Sequence, residues 1–311
     1  MNSNQFNKIL VVKHGSLGDI AFSLLAMASI KQFFSNATID LLTEEKYINF
    51  LKNSNYFSSI FKDNRKGIID SLKVIFKINQ NKYDLIIDLQ NSKRTNNYWL
   101  LLKFISKVRI NGSRSNSNIQ YVIPPQGTES PQQGLYNQLK LIGIKKINQN
   151  IDWLSKDISS INRDKVILLI PCVSKSGKHK QWSLDNFATL ASSLEKKGYR
   201  ICIIGQKSDK ETLATISNAC QNIIDLIDKS PPEIIYSVAK KSNFIISNDT
   251  GPGHIAALSN SPILFLAKDN VISKSNLSEY KNAYTILTDT MDSISVKKVL
   301  DFLHDSKLIN K

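Results

Sequence analysis

Short runs of β-branched and aliphatic residues alternate with helix-period segments along the whole chain, and this alternation restricts the fold more than any other feature. A strand that is apolar at nearly every position must be covered on both sides, which crossover helices on the two faces of a parallel sheet achieve. Ile9-Leu10-Val11-Val12, Thr38-Ile39-Asp40-Leu41-Leu42 and Tyr83-Asp84-Leu85-Ile86-Ile87-Asp88 make a first series of such runs. Val166-Ile167-Leu168-Leu169-Ile170, Ile201-Cys202-Ile203-Ile204 and Asn243-Phe244-Ile245-Ile246 make a second. Helices are predicted over 19–34, from about 184, and over 293–303. A polar stretch of little periodicity, 143–164, separates the series as a predicted linker. A chain of 311 residues exceeds what one hydrophobic core usually serves. Two α/β domains are therefore expected, 1–150 and 165–311, with the last helix free to pack on its own domain or back on the first.

The charge balance narrows the partners. Lys and Arg total 41 against 26 for Asp and Glu, a net +15 that suits nucleic acid, an anionic membrane surface or a phosphorylated substrate. The same chain is rich in Lys, Asn and Ile together, which a low-GC genome would impose on any protein, so both origins of the charge stay open. Basic stripes interleaved with aromatics are missing, which argues against nucleic acid. No run approaches the roughly 18 apolar residues of a spanning helix. The first seven residues are polar and lack the pattern of a signal peptide. Cys172, Cys202 and Cys220 are odd in number and widely spaced, so they are expected to stay reduced. These features suit a cytoplasmic protein whose contact with a membrane is at most peripheral, at its inner face. No His and carboxylate cluster has ligand spacing, so no metal is expected.

Three segments carry candidate chemistry. Gly15-Ser16-Leu17-Gly18-Asp19 follows the first strand and opens a helix, so its glycines allow a tight turn and close approach by a ligand. Asp19 is either a helix-start cap or a carboxylate facing the crevice at the carboxyl end of a parallel strand. Pro171 to Ser183 gathers four basic residues, Lys175, Lys178, His179 and Lys180, around the hydroxyls of Ser174 and Ser176, with Trp182 able to anchor the loop. Lys180 there can clamp a phosphate or belong to a solvated basic loop. Ser247-Asn248-Asp249-Thr250-Gly251-Pro252-Gly253-His254 again joins a buried strand to a helix. Thr250 can cap and Pro252 suits the first turn, leaving backbone N–H groups that can hold a phosphate or simply end a well-capped helix.

Taken together these pieces resemble glycosyltransferase family 9, the heptosyltransferases of the lipopolysaccharide inner core. The motifs stand in the family's order: Gly-x-x-Gly-Asp, then Tyr83-Asp84-Leu85-Ile86-Ile87-Asp88-Leu89-Gln90, then Lys180-x-Trp182-x-x-x-x-Phe187, then Asn248-Asp249-Thr250-Gly251-Pro252-x-His254-x-Ala256-Ala257. The chain departs from the pattern at Cys172, where many members have Gly, and at Ala267-Lys268-Asp269-Asn270, where a Gly-Pro-Thr-Asp-Pro-like turn is common.

The resemblance implies an α/β GT-B fold, two Rossmann-like domains with parallel sheets facing a central cleft, the first holding the acceptor and the second the nucleotide sugar. It implies an inverting transfer without metal or other cofactor, from ADP-heptose by family default, onto a lipopolysaccharide core or similar acidic glycolipid at the membrane surface. By position, Asp19 corresponds to the general base and Lys180 to the diphosphate-binding lysine. Thr250 with Gly251 corresponds to the phosphate-binding helix end, and Asp249 to the residue that meets donor hydroxyls. Ser174 falls in the donor loop, and His254 in the donor motif, with a purely structural role on its helix equally open. Gly15, Ser16 and Gly18 shape the loop on the acceptor side. A nucleotide-sugar epimerase or hydrolase of the same fold, and an inactive nucleotide-sugar or glycan-binding protein, are the alternatives. Oligomeric state is not fixed by these features.

Overall fold

The computed structural model describes residues 2–159, 161 and 165–309. The chain divides into two compact units, Met1–Trp153 and Leu154–Lys311.

In the first unit the strands are β1 (Lys8–Val12), β2 (Thr38–Thr43), β3 (Ser59–Lys62), β4 (Leu85–Asp88), β5 (Arg109–Gly112) and β6 (Ile119–Gln120). Helices α1 (Leu17–Phe33), α2 (Glu45–Lys52), α3 (Gly67–Gln80), α4 (Lys93–Ile105) and α5 (Pro131–Lys140) accompany them. The sheet is parallel, in the order β3-β2-β1-β4-β5-β6. Leu10, Val12, Ile86 and Ile110 share one face and pack under α3 and α4 through Val74, Ile75, Ile78, Tyr98, Trp99 and Leu102. Helix α1 is buried almost all round, which is why its sequence is apolar on every side.

The second unit repeats the plan. Strands β7 (Val166–Ile170), β8 (Arg200–Gly205), β9 (Ile223–Ile227), β10 (Phe244–Asn248), β11 (Ile263–Lys268) and β12 (Ala283–Thr288) form a parallel sheet in the order β12-β11-β10-β7-β8-β9. Its helices are α6 (Leu184–Lys196), α7 (Lys210–Asn218), α8 (Pro232–Lys241), α9 (Gly251–Ala257), α10 (Val271–Leu277) and α11 (Val296–Asp305). Ile167, Leu169, Ile201, Ile203, Phe244 and Ile246 meet Phe187, Leu190 and Leu194 of α6 and Val299 and Leu303 of α11 in one core. The last helix thus packs inside the second unit. It starts at residue 296, after Ser295 caps it by accepting the Lys298 N–H at 3.1 Å.

In both parallel sheets the order in which the chain adds strands reverses once, between β1 and β4 and between β7 and β10. In doubly wound sheets such a switch opens a crevice beyond the carboxyl ends of the two strands. The register puts Val12 beside Asp88 in the first sheet and Ile170 beside Ser247 in the second. The loops that leave these strands carry most of the candidate residues.

The stretch predicted as a linker is not free chain. Ile144, Ile151 and Leu154 are buried although their spacing has no regular period. The Asn148 N–H donates to Ser29 Oγ at 2.8 Å, and the Trp153 indole donates to the Tyr56 hydroxyl at 3.0 Å. Beyond the division, the Lys156 N–H donates to Ser237 Oγ at 2.8 Å. Residues 160 and 162–164 of the predicted linker, with Met1 and residues 310–311 of the predicted domains, lie outside the described residues.

Candidate active site

In the first unit the turn after β1 is built on Gly15, whose φ of +114° lies in the left-handed region. A Cβ there would come within 2.6 Å of Asp19 Oδ2, so glycine is required by both conformation and space. Helix α1 begins at Leu17, two residues earlier than its sequence suggests, and Asp19 is the third residue of its first turn. Asp19 Oδ2 accepts the Ser16 N–H and the Ser16 hydroxyl, each at 2.7 Å, while the Asp19 N–H reaches Ser16 Oγ at 3.3 Å. This reciprocal capping box realises the capping reading of Asp19. Both bonds from Ser16 fall on one carboxylate oxygen, and Asp19 as a residue remains exposed. Gly18 is buried at the base of the same turn.

Residues not singled out in the sequence support this turn. Glu44 Oε1 accepts the Gly15 N–H at 2.9 Å and the Arg65 guanidinium at 2.8 Å. Burial pushes the Glu44 carboxyl up, but the Gly15 N–H, Lys46 and Arg65 outweigh it and hold it below its ordinary value. Lys13 is buried and donates to the Leu89 carbonyl at 3.1 Å; burial lowers its pKa against the opposing pull of Asp19 and Asp88. His14 donates its backbone N–H to Gln90 Oε1 at 3.0 Å, and its Nε2 lies 3.5 Å from Asp63 Oδ2. Desolvation brings the His14 imidazole down to about 4, with Asp63 opposing and Arg65 reinforcing the shift.

Asp88, the other carboxylate at this switch point, faces inward. It is fully buried, its Oδ2 accepts the Trp99 indole N–H at 2.7 Å, and its Oδ1 accepts the Gln90 and Asn91 N–H groups at 3.0 and 2.9 Å. Burial raises its pKa, and these bonds oppose the rise. Its role is to tie β4 to α4 and to the loop between them.

In the second unit β10 runs on through Asn248, so Asp249 stands just past the strand end. Asn248 links both sides of the switch: its Nδ2 donates to the Pro171 carbonyl at 2.7 Å and its Oδ1 accepts the Trp182 N–H at 3.0 Å. Trp182 is wholly buried and its indole donates to the Ile294 carbonyl at 2.7 Å. The basic segment it anchors is not open loop: Lys175–Lys180 form 3-10 turns. Lys180, at their end, places Nζ 2.9 Å from Asp249 Oδ2. The carboxylate side chain is 3% exposed and the lysine 28%, so the pair is anchored in the protein and its cation reaches solvent.

His254, one turn along α9, approaches Asp249 Oδ1 with Nε2 at 3.1 Å and the Tyr280 hydroxyl with Nδ1 at 3.0 Å. An imidazole donating from Nε2 to the carboxylate can accept from that hydroxyl at Nδ1. Ser273 adds a longer hydroxyl contact to Asp249 Oδ2 at 3.5 Å. Burial alone would raise the Asp249 pKa; the His254 hydrogen bond and charge, then Lys180, overcome it and hold the carboxyl at about 2.

Thr250 occupies the N-cap position in extended conformation without a side-chain capping bond, contrary to expectation. Such a hydroxyl can bond the second or third N–H of the helix; Pro252 removes the second, and the Gly253 N–H, the third, goes without it. Gly251 opens the helix, and Gly253 lets it sit close: a Cβ there would lie 2.4 Å from Ser247 Oγ. Ser174 is exposed and pairs with Ser176 at 3.2 Å, with no hydrogen bond to the Lys180, Asp249 and His254 group among the described residues. Tyr280 and Ser273 complete that group from α10 and the turn after it, where no local motif marks them.

A chain with two such sheets, each with a polar group beyond its switch point, has the GT-B fold of nucleotide-sugar enzymes. The crystal structure of a family 9 glycosyl transferase from Veillonella parvula matches it with a TM-score of 0.78 at 17% identity, covering 99% of this chain and 98% of that one. Escherichia coli heptosyltransferase WaaC, solved with ADP-2-deoxy-2-fluoro heptose, matches with a TM-score of 0.73 at 16% identity over 96% and 99% of the two chains. The chain belongs to glycosyltransferase family 9 (heptosyltransferase), whose model matches residues 71–270. In sequence it is similar to lipopolysaccharide heptosyltransferase 1 of Campylobacter coli, 24% identical over 322 residues, spanning 94% of this chain and 92% of that protein. It is a glycosyltransferase by family. The Gly15 to Asp19 turn precedes the matched span, whereas Lys180, Asp249 and His254 lie within it. Among the described residues no helix is long and apolar enough to cross a membrane.

Proposed function

We propose that this chain transfers heptose from ADP-heptose, with inversion, onto a lipopolysaccharide core or similar acidic glycolipid at the cytoplasmic face of a membrane, needing no metal or cofactor. The observation that carries the reading is the pair of Lys180 and Asp249, fixed by Trp182 and Asn248 beyond the ends of β7 and β10. A diphosphate entering that crevice meets a lysine cation already held in place, and can take it from Asp249 because His254 remains to satisfy the carboxylate. Asp249, freed on one oxygen, can then accept from donor hydroxyls. Helix α9 has seven residues, so its end supplies a few N–H groups and Lys180 supplies the charge.

The acceptor oxygen attacks the anomeric carbon as its proton passes to the Asp19 carboxylate, and the bond from that carbon to the phosphate oxygen breaks, releasing ADP. Metal independence is supported by the availability of Lys180 to neutralise the leaving diphosphate. The names of relatives, described as lipopolysaccharide heptosyltransferases, support a heptose donor and a lipopolysaccharide acceptor.

A thermal-shift screen of nucleotide sugars, followed by donor turnover with and without a glycolipid acceptor, tests the reading. Stabilisation by ADP-heptose and turnover that requires acceptor are expected. Turnover without acceptor would instead identify an epimerase or hydrolase, and binding without any turnover a recognition protein.

A further inference from the structure

Helices α3 and α4 pack side by side over one face of the first sheet, and each has a second apolar stripe pointing away from it. On α3, Val74, Ile75 and Ile78 are buried, while Ile68, Leu72 and Phe76, one turn apart, are 79%, 52% and 62% exposed. On α4, Tyr98, Trp99 and Leu102 are buried, while Leu100 with Phe104 and Leu101 with Ile105 form exposed i,i+4 pairs, Phe104 being 80% exposed. Helices that bury one face normally give the opposite face to charged residues. Here both outer faces are apolar, on adjacent helices of the same layer, and a patch of that kind marks a contact surface.

The charges around the patch say what covers it. Lys66, Lys73, Lys77, Lys93, Lys103 and Lys107 are all exposed on these helices or at their ends, and Asp70 is the single acid of the two helices. An exposed Ile, Leu and Phe surface ringed by lysines fits the interface of an anionic bilayer, where apolar side chains enter the acyl boundary and lysines meet the headgroups. We infer that the outer faces of α3 and α4 dock this enzyme on an anionic lipid leaflet. The purpose of that docking rests on the lipid-borne acceptor proposed above; the surface itself rests on the two apolar ridges and their lysines.

Sedimentation with vesicles of phosphatidylcholine, alone and mixed with phosphatidylglycerol, tests it on the full chain. The parent is expected to bind the mixed vesicles at low salt, to bind phosphatidylcholine weakly, and to be released by high salt. Leu72→Ser with Phe76→Ser, and separately Leu101→Ser with Phe104→Ser, should each weaken binding at least tenfold. Each lysine near an anionic surface contributes roughly a fivefold change in partitioning, so Lys66→Gln, Lys73→Gln and Lys77→Gln together should cost on the order of a hundredfold. All variants should keep the parent's melting temperature, donor affinity and transfer to a soluble fragment of the acceptor. A parent that ignores the mixed vesicles, or ridge variants that bind them as the parent does, would overturn the inference. So would a parent dimer that the ridge substitutions return to monomer, since a second copy would then cover the patch. If vesicle binding behaves as expected while the soluble transfer fails in the parent, the docking surface stands and the proposed reaction falls.

Discussion

Lys180 Nζ lies 2.9 Å from Oδ2 of Asp249, and the other oxygen of that carboxylate lies 3.1 Å from Nε2 of His254. The carboxylate therefore keeps a partner if the lysine is removed or drawn away by a ligand. Lys180→Ala should fold like the parent yet lose roughly 10- to 150-fold in donor affinity and turnover, the value of one charge-assisted contact. Donor titration and single-turnover transfer measure both. Unchanged values in a folded variant would return Lys180 to the surface.

Asp19→Asn separates the cap from the base, because the amide oxygen can still accept from Ser16 but cannot take a proton. A loss of about 10²- to 10⁴-fold in single-turnover transfer is expected, with donor affinity and melting temperature close to the parent's. Transfer within a few-fold of the parent would leave Asp19 as a cap alone.

Asp88 should behave in the opposite way. Asp88→Ala strips the Trp99 indole and the Gln90 and Asn91 amides of their buried acceptor, a loss of roughly 3 kcal/mol or more. Urea unfolding should show that cost, while transfer per folded molecule is retained. A specific collapse of the rate at parental stability would give Asp88 the catalytic role instead.

His14 gives the first unit an acid sensitivity. Its imidazole takes a proton near 4 in the folded chain, against an ordinary value of 6.5, so the unfolded chain binds the proton first. Stability contributed by neutral His14 is complete above about pH 6.5, falls as pH drops towards about 4, and changes no further below it; the span is worth roughly 3 kcal/mol. His14→Gln should flatten the decline of the urea midpoint across that window. Parallel curves for parent and variant would assign the acid sensitivity elsewhere.

Strands such as β4 and β7 could be read from sequence because every position in them is buried, which leaves a continuous apolar run with no competing period. The stretch 143–164 does hold the division of the chain, but the burial of Ile144, Ile151 and Leu154 within it could not be read, because they stand at irregular spacing and leave no pattern. Lys180, Asp249 and His254 were visible one by one inside two motifs, and the sequence could not show that a single carboxylate joins them. Tyr280, Glu44 and Asp63 were invisible because their positions come from chain folding and their own neighbours in sequence are unremarkable. Thr250 shows a local rule failing: it stands at the N-cap position of its helix without the side-chain bond that its residue type predicts.

The division of the chain after Trp153 leaves a complete hydrophobic interior and a complete crevice on each side of one peptide bond. A recombination event at that junction would exchange one recognition surface entire, with no strand orphaned from its sheet and no helix from its layer. Halves built in this way can be inherited as cassettes, each bringing its own sheet and its own interior intact.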